Sequence, residues 1–188
     1  MRITGGVLCG RQVMVPEGII RPAMDRMRES VFAVLGDLRG LSFLDLFSGS
    51  GIIALEAASR GAEPVEAVEM DKLKRKTLLE NVSMAPVRIN CRFMAAELYV
   101  KRAKKGFDII FCDPPFPYQY KRELAAAIAS SPLMVSGSRL LIHRPRERAA
   151  APGDQARPAP VRNAGVIPNL ILRDRREYGR SVVDFFEK

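Results

Sequence analysis

An acid, two prolines and an aromatic ring end an apolar run in the segment FDIIFCDPPF, residues 107–116. Asp113 offers a carboxylate that accepts hydrogen bonds, and Phe116 offers a flat apolar face. Pro114 and Pro115 stiffen the segment because proline restricts φ and has no N–H, and the Pro114 carbonyl is left free to face a pocket. Two acceptors and a stacking surface suit an exocyclic amine on a planar base. The segment therefore predicts a catalytic site that aligns such an amine with an incoming methyl group, with Asp113 helping to accept the proton that the amine loses.

Simpler interpretations exist for this DPPF segment (residues 113–116) and for two other reactive side chains. A strand-ending turn would account for both prolines, but it has no need of the acid and the aromatic ring together. Cys112 lies within the apolar run, so we interpret it as a core thiol rather than a nucleophile. His143, the single histidine of the chain, is interpreted as a strand residue rather than a catalyst.

A second group of candidates surrounds the sequence LDLFSGSGIIALE, residues 44–56. Gly49 and Gly51 stand between a predicted strand and a predicted helix, where glycine lets the backbone approach a ligand and the helix N-terminus offers N–H groups to an anion. The next strand ends at Glu69, and an acid at that point can accept hydrogen bonds from a ribose diol. S-adenosylmethionine sites use a similar loop, usually with an acid just before it. Here that acid is Asp45, which can help hold the cationic methionine end of the cofactor. Because the loop also fits the dinucleotide pattern G-x-G-x-x-A, it leaves NAD open as an alternative cofactor.

The elements that must position these residues follow from alternating apolar and amphipathic segments. Strands are predicted at 41–47, 64–70, 87–94, 107–112 and 138–144, with two more in 169–188 and a hairpin of two short strands in 2–15. Helices are predicted at 25–35, 52–61, 71–82, 96–104 and 118–130. This alternation indicates βαβ units and a parallel sheet covered by helices on both faces. The first helix is expected to have Asp25 as its N-cap and to bury Met27, Val31, Val34 and Leu35.

Charge indicates the kind of partner. The 188 residues carry a net charge of +9, and the sequence pI is near 9.9. A small basic protein favours an anionic partner, most often nucleic acid, although a generally basic proteome would explain the same excess. One histidine, and cysteines without CxxC spacing, predict reduced thiols and no metal site. We expect a cytoplasmic protein, since no apolar run spans a membrane and the first residues lack a secretory signal.

Taken together, these motifs resemble the RsmD-type methyltransferases. The resemblance rests on RPxxDRxRES over residues 21–30, LDLFSGSG over 44–51, Glu69-Met70-Asp71 and the DPPF segment. The opening MRITGG and the closing YGRSVVDFFEK are also similar, so the resemblance spans nearly the whole chain. Members of this family methylate the exocyclic N2 amine of a guanine in bacterial small-subunit ribosomal RNA.

The resemblance implies a Rossmann-like α/β fold, a seven-stranded and mostly parallel sheet with an antiparallel last strand, and an added N-terminal β-hairpin. It implies S-adenosylmethionine as cofactor and ribosomal RNA, or a small-subunit particle, as partner. We expect one domain over 1–188 that acts as a monomer, with a hairpin extension at 1–20 and a flexible Pro/Arg-rich loop at 145–168.

Site residues are carried over by position. The catalytic set is Asp113, Pro114, Pro115 and Phe116. The cofactor set is Asp45, Phe47, Gly49, Gly51, Glu69, Met70 and Ala96. The basic sequence and the family-like N-terminus predict an RNA-facing patch of Arg2, Arg11, Arg21, Arg26 and Arg28. One departure is that Ala95 or Ala96 stands where the family usually has an Asp that meets the adenine amine, so backbone groups are expected to recognise adenine here.

Other functions remain open from the sequence. The DPPF motif is shared by adenine-N6 methyltransferases that act on RNA or DNA, although this chain has little mass beyond the sheet with which to recognise a DNA sequence. A ribosome-assembly protein without activity would be free to lose Asp113 or Phe116, yet both are present. An NAD-dependent oxidoreductase would leave the DPPF segment unexplained.

Overall fold

The computed structural model describes residues 1–16, 25–146 and 167–188. The helices are α1 (Asp25–Leu35), α2 (Ile52–Ser59), α3 (Arg75–Val82), α4 (Ala96–Arg102) and α5 (Lys121–Ser130). The strands are β1 (Phe43–Leu46), β2 (Val65–Val68), β3 (Ile89–Arg92), β4 (Ile109–Cys112), β5 (Arg139–Pro145), β6 (Ile171–Tyr178) and β7 (Ser181–Glu187). A short 3-10 helix, Lys72–Lys74, leads into α3. The predicted alternation of strands and helices is confirmed.

The strands form one seven-stranded sheet in the order β3-β2-β1-β4-β5-β7-β6. Strands β1 to β5 pair in parallel, whereas β7 is antiparallel to both β5 and β6. Parallel neighbours need crossover connections, which the helices between the strands supply. The predicted Rossmann-like α/β sheet with an antiparallel last strand is confirmed.

Apolar side chains cover both faces of the sheet because successive residues of a strand point to opposite sides. In β1, Phe43 packs in the cluster that contains side chains of α1 and α2, whereas Leu44 packs with those of α4 and α5. In β4, Phe111 belongs to the first cluster and Ile110 to the second. Burial on both faces is why these strands appear in the sequence as unbroken apolar runs.

The N-terminal segment contains less strand than the sequence predicted. One isolated antiparallel bridge, between Arg2 and Gln12, replaces the two strands expected in 2–15. A backbone hydrogen bond from Ile3 N to Arg11 O, 3.0 Å long, continues the same hairpin-like path. The predicted hairpin is confirmed as an antiparallel pairing of the two arms, but its regular strand structure is limited to this one bridge. The apolar residues of the segment pack on the α1 and α2 face of the protein. These residues are Ile3, Leu8 and Val13.

Helix α1 buries a face that differs from the predicted one. Val34 is exposed, and Arg28 and Phe32 are buried in its place. Positions 28, 31, 32 and 35 share one side of the helix at i, i+3, i+4 and i+7 spacing, and Val34 lies outside that stripe. The remaining predicted positions are buried, namely Met27, Val31 and Leu35.

Some predictions lie outside the described residues. These are the roles of Arg21 and of residues 17–20, and most of the loop predicted at 145–168. In the described part of the chain, no helix is both long enough and apolar enough to cross a membrane. The same part contains no group of three or more His, Cys, Asp or Glu side chains arranged to hold a metal ion.

Candidate active site

Candidate residues from distant parts of the sequence meet at the carboxyl edge of the sheet. Strand β1 lies between β2 and β4, so the connections on its two sides run in opposite directions and a crevice forms where β1 ends. Ser48 N donates to Val68 O at 2.9 Å, and Asp113 N donates to Leu46 O at 3.3 Å. These bonds hold the glycine loop (residues 47–51), the end of β2 and the DPPF segment side by side.

Glu69 fixes the glycine loop. Its Oε2 accepts a hydrogen bond from Gly49 N at 2.8 Å, and its Oε1 accepts one from Asp71 N at 2.8 Å. Gly51 has a φ of 82°, and a Cβ there would lie 2.7 Å from Leu78 Cδ1, so only glycine fits. A Cβ at Gly49, which has a φ of 57°, would have Phe47 O at 4.0 Å as its nearest neighbour, so the loop is uncrowded there. A backbone held in this way leaves room for a ligand against the loop.

Asp45 is a buried acid with one unused oxygen. Its Oδ2 accepts hydrogen bonds from Ser48 Oγ at 2.6 Å and from Ala54 N at 3.2 Å. Its Oδ1 is also buried and has no hydrogen-bond partner within the described residues. The pKa of Asp45 is raised to about 7, chiefly by burial and also by the nearby carboxylates of Asp113 and Glu69, against the opposing hydrogen bonds from Ser48 and Ala54. A cationic ligand group would complete the environment of this carboxylate.

Aromatic contacts join the glycine loop to the chain that follows the DPPF segment. Phe47 has a φ of 67°, an uncommon value for a bulky residue, and its ring meets that of Tyr118 edge-on at a centroid distance of 5.6 Å. The Tyr118 hydroxyl donates to Glu97; burial and this bond raise the pKa of Tyr118. Of the other residues predicted to contact a cofactor, Met70 is exposed, and Ala96 is buried at the start of α4.

Helix α5 holds the DPPF segment in position. Lys121 Nζ donates to Phe116 O at 2.9 Å and also to Tyr118 O. Burial lowers the pKa of Lys121. Pro114 is buried and Pro115 is exposed, so the two prolines have different surroundings. The lysine was not predicted as a site residue, since its contacts are to backbone carbonyls that no sequence motif marks.

Asp113 contacts a residue that sequence reasoning assigned only to a strand. His143 lies in β5, as expected, but its Nδ1 is 2.8 Å from Asp113 Oδ1. Its ring also meets the Phe116 ring edge-on, with centroids 5.7 Å apart. Cys112, by contrast, is buried in the apolar core, and burial raises the pKa of its thiol. The interpretation of Cys112 as a core thiol is confirmed.

The predicted RNA-facing arginines divide into two groups. Arg2, Arg11 and Arg26 are exposed. Arg28 is fully buried, with its Nε 3.0 Å from Glu56 Oε1, so the prediction that it faces RNA is wrong. Its guanidinium is enclosed because α1 packs against α2 and the N-terminal segment, where it also donates to Arg2 O.

The strand order, the antiparallel β7, the glycine loop after β1 and the acid after β2 define the class: this is the Rossmann-like fold of S-adenosylmethionine-dependent methyltransferases. Within that class the sequence matches the family described as Conserved hypothetical protein 95 over residues 1–187, and the chain belongs to this family. The resemblance to RsmD-type proteins is confirmed by the same match and by the named relatives.

Three relatives illustrate the extent of the similarity. Ribosomal RNA small subunit methyltransferase D of Escherichia coli (strain K12) is 37% identical over 120 residues, which cover 62% of this chain and 60% of that protein's length. YlbH of Bacillus subtilis (strain 168) is 29% identical over 197 residues, covering 100% of this chain and 99% of YlbH. The solved structure of yhhF from Escherichia coli superposes with a TM-score of 0.83 at 25% identity, covering 100% of this chain and 97% of that one.

Proposed function

We propose that this protein transfers a methyl group from S-adenosylmethionine to the exocyclic N2 amine of a guanine in small-subunit ribosomal RNA. The observation that carries the proposal is that the glycine loop, Glu69, Asp45 and the DPPF segment line one crevice. One carboxylate oxygen of Asp45 has no hydrogen-bond partner within the described residues. The name of the Escherichia coli relative, a ribosomal RNA small subunit methyltransferase, supports the class of substrate.

The residues present fit the cofactor. Glu69 can accept hydrogen bonds from a ribose, because each of its oxygens accepts only one bond from the backbone. Asp45 presents a buried, unpaired Oδ1, which suits a nearby ammonium group. The backbone at Gly49 is uncrowded, which suits close approach by a ligand. When bound, S-adenosylmethionine supplies a methyl group carried on a sulfonium.

The DPPF segment aligns the acceptor. The Asp113 carboxylate and the Pro114 carbonyl accept the two N–H groups of the amine, which turns its lone pair out of the base plane and towards the donor. Phe116 stacks on the face of the base and fixes the orientation of the base in the site. As the amine nitrogen gains the methyl group it loses a proton, and Asp113 accepts that proton. Alignment dominates, because displacement at a sulfonium needs little help from a strong base.

The charge distribution supports an RNA partner. Three exposed arginines lie in the N-terminal segment and helix α1, namely Arg2, Arg11 and Arg26. A second basic surface borders edge strand β3, where a cleft of about 420 Å³ is lined in part by Arg88 and Arg92. With a net charge of +9, these surfaces favour a polyanion, and binding through phosphates weakens as salt rises.

A methyl-transfer assay tests the proposal. Small subunits from a strain that lacks the gene are incubated with the protein and with S-adenosylmethionine carrying a tritiated methyl group. We expect labelled N2-methylguanine in the nuclease digest, and no labelling of subunits from the parent strain, whose site is already methylated. Labelled N6-methyladenine would favour the rival enzyme. Absence of label on both particles and naked RNA would favour an assembly protein without activity.

A further inference from the structure

The only histidine in the chain lies next to the proposed catalytic carboxylate. Strands β4 and β5 pair in parallel with Cys112 opposite Ile142, so the residues that follow, Asp113 and His143, are neighbours across the two strands. Their side chains fall on the same side of the sheet because both follow the register by one residue. The contact thus depends on the pairing of two strands whose contact residues lie thirty positions apart in sequence.

The histidine side chain is almost wholly buried and contacts two parts of the target site. Nδ1 lies 2.8 Å from Asp113 Oδ1, and the imidazole ring meets the Phe116 ring at an interplanar angle of 65°. Its exposed fraction is 10%, against 22% for the Asp113 side chain. Nε2 has no hydrogen-bond partner among the residues that the structure describes.

The chemistry of this contact fixes its direction. The proposed mechanism requires an ionised Asp113, which is an acceptor only, so in that state Nδ1 carries the proton that bridges to Asp113 Oδ1. This bond occupies one carboxylate oxygen and restricts rotation of the carboxyl group, and Oδ2 remains to accept an N–H of the target amine. The edge-on contact with Phe116 sets the spacing between the carboxylate and the stacking ring.

A packing role alone does not account for the arrangement. An apolar side chain of similar size would fill the space without burying Nε2, which forms no hydrogen bond within the described part of the chain. Burying a polar atom without a partner costs free energy. The Nδ1–H group is therefore the feature that distinguishes histidine from leucine at this position.

We infer that His143 is a positioning residue, whose Nδ1–H holds the Asp113 carboxylate so that Oδ2 faces the target amine and whose ring spaces Asp113 from Phe116. The inference rests on the proposed function, since it assigns a role within the same site. No proton moves to His143 in this role; the proton released by the amine goes to Asp113 Oδ2.

The contact has a spectroscopic test that does not depend on activity. Because the chain has one histidine, ¹⁵N-labelled protein without an affinity tag gives imidazole signals from His143 alone. We expect Nδ1 to carry a proton in the full-length protein and its signal to shift in Asp113→Ala. An unprotonated Nδ1, or signals that Asp113→Ala leaves unchanged, would overturn the inference.

The positioning role has a kinetic test with two variants at one position. His143→Leu keeps the volume and removes the N–H, and we expect the single-turnover rate on hypomethylated small subunits to fall by about tenfold to a hundredfold, the scale of a misplaced catalytic group. His143→Asn keeps an N–H near the position of Nδ1, and we expect it to recover most of that rate. Binding of S-adenosylmethionine, measured by calorimetry, is expected to be unchanged in both.

The outcomes separate this inference from the function on which it rests. A wild-type protein that methylates no RNA overturns both. An active wild type with an equally active, folded His143→Leu overturns the inference alone, as does equal loss of rate in the leucine and asparagine variants, which would indicate packing. Melting temperatures of both variants, measured alongside, identify any loss of rate that follows from unfolding.

Discussion

Two buried carboxylates, Asp45 in the crevice and Glu56 beneath the N-terminal segment, have opposite surroundings. Glu56 Oε1 accepts hydrogen bonds from Thr4 N and Thr4 Oγ1, and from Arg28 Nε, while Oε2 pairs with Arg60. Asp45 Oδ1, in contrast, has no hydrogen-bond partner within the described residues. Both oxygens of Glu56 therefore have partners, whereas one oxygen of Asp45 has none among the described residues.

The difference separates a fully paired carboxylate from one that we propose binds the cofactor. Buried polar groups in folded proteins are nearly always hydrogen-bonded, so exceptions call for an explanation. Within the described residues, the buried side-chain atoms that lack a partner are Asp45 Oδ1 and His143 Nε2, and both lie at the carboxyl edge of the sheet. The glutamate network, in contrast, fastens residues 1–16 to helices α1 and α2. Substitutions at the carboxyl edge of the sheet should therefore change function, and substitutions in the Glu56 network should change stability.

The largest effect is expected from Arg28→Met. Loss of this guanidinium leaves Glu56 buried with one cation fewer, and removing one partner of a buried ion pair typically costs about 3–5 kcal/mol. The free energy of unfolding, measured by urea titration, should fall by that amount. Arg26→Met is the matched control, since Arg26 is exposed on the same helix and its loss should cost little. Equal destabilisation by the two substitutions would contradict the structural role of Arg28.

On the functional side, Asp113→Ala should have the largest effect. The substitution removes the acceptor that aligns the amine and takes its proton, and turnover should fall by about a hundredfold or more. Affinity for S-adenosylmethionine, measured by calorimetry, should change little because the glycine loop and Glu69 remain. Full methyl-transfer activity in this variant would refute the mechanism proposed for the DPPF segment.

A smaller loss is expected from Glu69→Ala, which acts on cofactor binding. It removes the acceptor for a ribose and also the bond that holds Gly49 N, so binding should weaken by roughly 1–3 kcal/mol. Glu80→Ala serves as the control, because Glu80 is an exposed acid on α3. Calorimetry with S-adenosylmethionine measures both, and unchanged affinity in Glu69→Ala would remove Glu69 from the site.

Much of the fold follows from the sequence because burial on both faces makes each parallel strand an apolar run. The strand predicted at 107–112 is observed as Ile109–Cys112, and the glycine loop and the DPPF segment stand where strand-end motifs must stand. The N-terminal hairpin was predicted as strands because local pairing is visible in sequence, whereas its packing on α1 and α2 is a tertiary effect.

The rest of the site depends on contacts that no local pattern reveals. An arginine in an amphipathic helix is predicted from sequence to be exposed to solvent. Arg28 is buried because the fold places Glu56 of α2 next to it. The sequence predicts only that His143 is a strand residue, because its contact with Asp113 depends on the pairing of β4 with β5. Matching the ends of adjacent parallel strands would have brought these two residues together, but the order of strands was not deducible from periodicity.

The smallest effect is a dependence of cofactor affinity on pH that reports on Asp45. With a pKa of about 7 in the free protein, raised chiefly by burial, Asp45 is largely protonated below pH 7. A bound ammonium group favours the ionised form and lowers this pKa, so binding at lower pH must first release a proton. Affinity for S-adenosylmethionine should then weaken as pH falls from 7 towards 5.5, by up to about tenfold per pH unit.

Titration of Asp45 should also make the free energy of unfolding depend on pH, in the opposite direction to the cofactor affinity. Because the folded-state pKa of Asp45 lies above the ordinary value of 3.8, the folded state binds the extra proton between about pH 4 and pH 7, and this group's contribution to the free energy of unfolding declines as pH rises through that window. Asp45→Asn, which cannot titrate, should remove both dependences while keeping the volume of the side chain. Calorimetry across pH 5.5–7 on the two proteins decides the matter: parallel affinity curves would exclude Asp45 as the partner of the cofactor's charge, and a flat curve in the variant alone would assign that role to it.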